Sequence, residues 1–135
     1  MKYVYTGVFF NYYELFNKFN CNIRDERLER KIMKPHVTFT YMPESVREDL
    51  FGMPTKFRVI GYACNGINQG LQVEATTMHA GLKDEYAKVK TPHITISVST
   101  NGKPVDTGKL KFVPIENPFY IIGRYGAFDG EKVVY

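Results

Sequence analysis

One short pattern occurs twice in the chain. Lys34-Pro35-His36-Val37-Thr38-Phe39-Thr40 and Thr91-Pro92-His93-Ile94-Thr95-Ile96-Ser97 each set a proline ahead of a histidine and a hydroxyl two and four residues after it. Proline disfavours helix in the residue before it, and the alternation that follows has the period of a strand. Residues i and i+2 of a strand share a face, so His36, Thr38 and Thr40 point one way and Val37, Phe39 and Tyr41 the other. His93, Thr95, Ser97 and Ser99 oppose Ile94, Ile96 and Val98 in the same manner. Each strand therefore buries an apolar side and offers an imidazole and a hydroxyl on its other side. Two ordinary solvated sheet faces would also favour threonine; the shared proline and histidine set this pair apart.

A recurring pattern implies a recurring unit. Before the first copy, residues 2–10 read as a strand and residues 12–19 as a helix with Tyr12, Leu15, Phe16 and Phe19 at helical spacing. Residues 24–34 extend that helix or form a loop, 36–41 are a strand, and 44–51 a short helix behind Pro43. Residues 56–64 and 70–77 form an antiparallel hairpin around the Asn65-Gly66 turn. A second helix over 79–88 precedes the strand at 93–99, and after KLKFVPI at 109–115 the chain closes as strands at 118–128 and 132–135, joined at Asp129-Gly130. Both halves run strand, helix, Pro-His-x-Thr strand. The expected class is α+β: one bilobal domain over residues 1–135, with pseudo-twofold antiparallel sheets, outer helices and a central cleft.

The remaining composition narrows the function. At 135 residues with 44% hydrophobic side chains the chain can bury one sizeable core, and no run of residues is apolar enough for a membrane span. Cys21 and Cys64 carry no metal or redox spacing, which with the lack of a leader-like N-terminus points to a soluble cytoplasmic protein. The net charge of +4 favours anionic partners, but acids and bases alternate, as in Arg24-Asp25-Glu26-Arg27. A small anion fits better than duplex DNA.

Two histidines and two threonines in one cleft have a definite chemistry. An imidazole with an ordinary pKa near 6.5 is neutral or charged near neutral pH, so one copy can accept a proton while the other donates one. Across a phosphodiester, the neutral ring would activate water or a ribose 2′-hydroxyl and the protonated ring would neutralise the departing alkoxide. The hydroxyls of Thr38 and Thr95 would bond the non-bridging oxygens. No metal or other cofactor is called for, and a zinc site would need three or four ligands at spacings the chain lacks.

The paired His36-Val37-Thr38 and His93-Ile94-Thr95 motifs resemble those of the 2H phosphoesterase, or LigT-like, superfamily. The resemblance implies a bilobal α+β fold with a pseudo-twofold cleft, and a catalytic set of His36, His93, Thr38 and Thr95. That family includes 2′,3′-cyclic phosphodiesterases, RNA-repair and RNA-trimming enzymes, and phage anti-CBASS enzymes that cut cyclic oligonucleotide signals. It implies here a small enzyme acting on a cyclic oligonucleotide or on the 2′,3′-cyclic phosphate of an RNA end. A binding module that sequesters a nucleotide without cleaving it is the rival from another class.

Around the motifs, Arg124 stands within an aromatic strand as a candidate phosphate grip, and Tyr12 and Tyr125 are candidate substrate contacts, with Tyr41, Phe119 and Tyr120 as further stacking surfaces. Lys34 and Lys90 lie near the motifs and would raise the local potential, or are simply solvated. His79 lacks the following threonine and is expected in a surface or capping role.

Overall fold

Alternating burial builds most of this molecule. The computed structural model describes residues 2–135. Its order is β1 (Tyr5–Phe9), α1 (Tyr12–Asn22), β2 (Arg30–Lys31), β3 (His36–Tyr41), β4 (Pro54–Cys64), β5 (Asn68–Thr77), α2 (Lys83–Ala87), β6 (His93–Val98), β7 (Val113–Phe128) and β8 (Val133–Val134), with 3-10 turns at Glu48–Leu50, Ala80–Leu82 and Pro104–Lys109. The class is α+β, mostly antiparallel sheet with few helices.

Asn11 starts α1: its side chain accepts from the Glu14 amide at 3.0 Å, satisfying one of the helix's orphan donors. Leu15, Phe16 and Phe19 then fall on one buried stripe. The helices expected at 44–51 and 79–88 shrink to single turns and the five-residue α2. In the second, Gly81 interrupts the run, and His79 caps the turn by accepting from the Gly81 amide through Nδ1 at 2.9 Å. The hairpin forms as expected, with Gly66 at φ +84° in its turn. The 109–115 segment divides: its start completes a 3-10 turn and its end opens the sixteen-residue β7.

All strand pairs are antiparallel, in the order β2-β6-β5-β4-β7-β1-β3, with β8 added beside β7. Although β3 and β6 lie near opposite ends of this path, they approach each other closely, so the sheet curls around its apolar face. Val8, Val37, Phe57, Leu71, Ile94 and Ile121 from six strands meet there in one cluster with Phe16 and Phe19 of α1. Tyr86 of α2 joins them against Phe39 and Phe57, at centroid distances of 5.5 and 6.0 Å. Each wholly buried aliphatic side chain in this cluster contributes about 2 kcal/mol. The chain from β2 into β3 crosses the gap: the Ile32 amide bonds the Ile96 carbonyl and the Phe10 amide bonds that of Pro35. No helix among the described residues is long and apolar enough to cross a membrane.

Candidate functional site

The two motifs are built alike down to the backbone. Thr38 pairs with Gly7 on β1 and Thr95 with Gly70 on β5. A side chain at Gly7 would run into the Val37 carbonyl of its partner strand; one at Gly70 would run first into the Thr107 methyl of the Pro104–Lys109 turn and come within 3.1 Å of the Ile94 carbonyl. The carbonyl of each motif proline accepts from the neighbouring strand, Pro35 from Phe10 at 2.9 Å and Pro92 from Val73 at 3.1 Å. Beyond each threonine the register slips by one: Thr6 pairs with Thr40 and Gln69 with Ser97.

That slip corrects the strand-parity expectation. A bulge turns the following residue to the opposite face. Thr40 therefore leaves the side of His36 and bonds Glu85 of α2, while Tyr41 swings to the cleft and stands 71% exposed. Ser97 likewise turns inward, wholly buried, and donates to Gln69 Oε1 at 2.6 Å.

His36, Thr38, His93 and Thr95 line one cleft of 630 Å³ between β3 and β6, together with Tyr5, Tyr41, Ile32, Val89, Lys90 and Val105. Both rings are held by the same bond: Nδ1 of His36 meets the Lys34 carbonyl at 2.9 Å, and Nδ1 of His93 meets the Thr91 carbonyl at 2.7 Å. A carbonyl only accepts, so each Nδ1 carries the proton, and a neutral ring keeps its lone pair on Nε2. Burial holds His36 below its ordinary pKa; the Lys34 carbonyl opposes this and the nearby His93 adds to it. Tyr5 lies flat against His36, with centroids 4.7 Å apart and planes at 25°, and Phe9 flanks the ring at 5.5 Å. Burial pushes the Tyr5 phenol up to about 12. The Thr95 hydroxyl donates to the carbonyl of Pro104, another residue of the cleft wall, at 3.2 Å.

The other expected contacts lie elsewhere. Tyr125, expected at the substrate, instead sits on the apolar face of β7, has no exposure, and donates to Glu85 Oε1 at 2.9 Å. Tyr12 is also turned from the cleft, since it packs on Phe16 and its hydroxyl accepts from Arg27. Arg124 faces solvent beside Phe10, Asn11 and Tyr135 and donates to the Gly52 carbonyl, away from both histidines. Phe119 is core, and Tyr120 lies under Lys56 on the outer sheet surface. Of the two lysines, Lys90 lines the cleft and Lys34 does not. The sequence reading missed Tyr5, whose ring reaches His36 only because β1 and β3 pair, and the two glycines opposite the motif threonines. Each glycine is the third residue of its strand, a likeness that emerges only once the strand bounds are known.

Among the described residues no group of three or more His, Cys, Asp or Glu side chains is placed to hold a metal ion. No protein-family model matches the chain, and no curated protein matches it. What the cleft can do rests on its own chemistry: two Nε2 atoms able to exchange protons, two hydroxyls able to bond anionic oxygens, one ammonium, and apolar walls suited to a planar ring.

Proposed function

We propose that the protein is a metal-independent phosphodiesterase of the 2H type that opens cyclic nucleotide phosphodiesters, with cyclic oligonucleotide signals as the favoured substrates and the 2′,3′-cyclic phosphate of an RNA end or nucleotide as the alternative. The single observation that carries this reading is the joint presence of both His-x-Thr pairs in one cleft, each ring tied through Nδ1 so that Nε2 is left for chemistry. The strand order supports the bilobal, pseudo-twofold arrangement: β3-β1-β7 and β6-β5-β4 read as equivalent halves meeting at the β4–β7 pair. The matching glycines, proline carbonyls and bulges extend that equivalence to the site.

In the reaction, one neutral imidazole takes the proton of water or of a ribose 2′-hydroxyl as its oxygen bonds to phosphorus. The other, protonated, gives its Nε2 proton to the departing oxygen as the P–O bond breaks. Thr38 and Thr95 donate to the non-bridging oxygens and fix phosphorus in line, and Lys90 adds positive potential where negative charge accumulates. The apolar rim of Ile32, Tyr41 and Val105 accommodates a base or sugar edge.

Incubation with cyclic dinucleotides, cyclic trinucleotides and 2′,3′-cyclic nucleotides in chelator, followed by mass analysis, tests the proposal. A ring-opened product is expected, and His36→Ala or His93→Ala is expected to slow its formation by about 100-fold or more. Tight binding without product would identify a sequestering module, and full activity in both variants would end the assignment.

A further inference from the structure

The two halves of the site differ in what touches each histidine. His36 is touched by two aromatic rings of β1: Phe9, its register partner, and Tyr5, which pairs with Tyr41 in the ladder but stacks its ring on the His36 face. Tyr5 is itself stacked on Phe128 at 5.4 Å, which fixes its plane. At the matching places of the other half, Asn68 stands two residues before Gly70 as Tyr5 stands before Gly7, and Gln72 is the register partner of His93. The Asn68 side chain is occupied with the Lys103 carbonyl and Thr107 hydroxyl. His93 instead lies against the backbone at Gly108, where a side chain would come within 3.0 Å of its Cε1.

We infer that this aromatic stack breaks the equivalence of the two histidines: it makes His36 the proton acceptor, leaves His93 as the proton donor, and gives Tyr5 the part of a positioning residue that holds the acceptor ring dry and in plane. The inference rests on the phosphodiesterase reading and deepens it. A ring covered by apolar faces loses water that would stabilise its cation, whereas one lying on peptide groups keeps polar surroundings. The π faces of Tyr5 and Phe9 would by themselves favour an imidazolium, so the direction in which His36 responds to their removal decides between the two effects. The titratable and charged groups facing His36 are His93 across the cleft, Lys90 before β6, Tyr5 on β1 and Tyr41 at the end of β3. His93 and Lys90 act in the same direction as burial when charged, and the Tyr5 phenol, pushed up to about 12 by burial, is neutral in the working range.

With His36 as acceptor, the 2′-hydroxyl proton passes to its Nε2 as O2′ bonds to phosphorus. The bond from phosphorus to O5′ breaks, and O5′ takes the proton from His93 Nε2.

Two measurements on the full chain test this. Imidazole titrations by NMR in the wild type, Tyr5→Phe and Tyr5→Ala are expected to show the His36 midpoint rising toward 6.5 in Tyr5→Ala alone, with His93 unmoved. An unchanged His36 midpoint, or an equal movement of both histidines, overturns the role of the stack. The second compares uridine 3′-(4-nitrophenyl phosphate), whose leaving group departs without a proton, with uridylyl-3′,5′-uridine, whose alkoxide needs one. His93→Ala is expected to lose about 100-fold or more on the dinucleotide yet stay within about tenfold of wild type on the nitrophenyl ester, while His36→Ala loses on both. The reverse pattern overturns the assignment of roles and leaves the phosphodiesterase reading intact. A wild type inert toward these esters and toward the cyclic panel overturns both, and the titrations still judge the stack.

Discussion

Removing the Glu85 carboxylate strikes the structure at the point where α2 meets the first motif. Glu85 accepts from Thr6 Oγ1 at 2.5 Å, from Tyr125 Oη at 2.9 Å, and from Thr40 beyond the bulge. Thr6 and Tyr125 have no exposure, so in Glu85→Ala neither hydroxyl can turn to bulk water. Each stranded buried hydroxyl costs about 1–3 kcal/mol, and half-buried Thr40 recovers part of its loss. Relief from burying a carboxylate, and a bond that Thr6 and Tyr125 can make to each other, offset some of this, which leaves an expected destabilisation of about 2–4 kcal/mol. That is a large fraction of the ~5–15 kcal/mol that holds a domain of this size together. Glu85→Gln keeps one carbonyl acceptor and is expected to cost about half as much. Equilibrium unfolding in urea measures both, with the midpoint falling and the slope unchanged. If Glu85→Ala lies within 1 kcal/mol of wild type, or Glu85→Gln costs as much as alanine, the reasoning from stranded hydroxyls is refuted.

Further expectations concern titration and strand contact. Because His36 titrates below 6.5 in the folded state, its contribution to stability is complete above about pH 7 and is lost as the pH falls through the folded value. Urea midpoints between about pH 7 and 5 are therefore expected to drop less in His36→Gln than in wild type, and equal drops would contradict this. Gly7→Ala drives a methyl into the Val37 carbonyl and within 3.2 Å of the Thr38 Cα, neither of which is a flexible side-chain end. It is expected to cost about 2–3 kcal/mol, whereas Gly66→Ala, with open space but φ +84°, is expected to cost about 1 kcal/mol. Thermal unfolding that ranks them the other way would show that strain, not contact, governs these sites. Tyr41→Ala is expected to raise KM for a nucleotide substrate while leaving stability within about 0.5 kcal/mol, since its ring is mostly in solvent.

The strands were legible because their burial alternates: His36 to Phe39 and His93 to Ile96 follow the period-two pattern residue by residue. The pairing of His36 with His93 in one cleft was legible for a different reason, the repetition of proline, histidine and threonine. Sequence periodicity could not reveal the bulges, because a one-residue slip is set by the partner strand, and so Thr40 and Tyr41 exchanged faces. Tyr125 was misplaced because strand parity alone cannot say which face of a strand meets the cleft. Only the pairing of β7 with both β1 and β4 puts its odd-numbered side chains in the core. The short helices were overextended because apolar spacing alone cannot tell a turn clamped by His79 and Leu82 from a longer helix. Tyr5 was invisible as a site residue, since its neighbour His36 is thirty-one positions away and is reached through the sheet.

The central claim is that two imidazoles flank one phosphorus atom. Long-range proton–nitrogen NMR of the three histidines during titration with uridine 2′-phosphate tests it most directly. The expected result is that Nε2 of His36 and Nε2 of His93 shift together along one saturation curve while His79, occupied with the Gly81 amide, stays still. A shift at only one motif histidine, or different curves for the two, would contradict it.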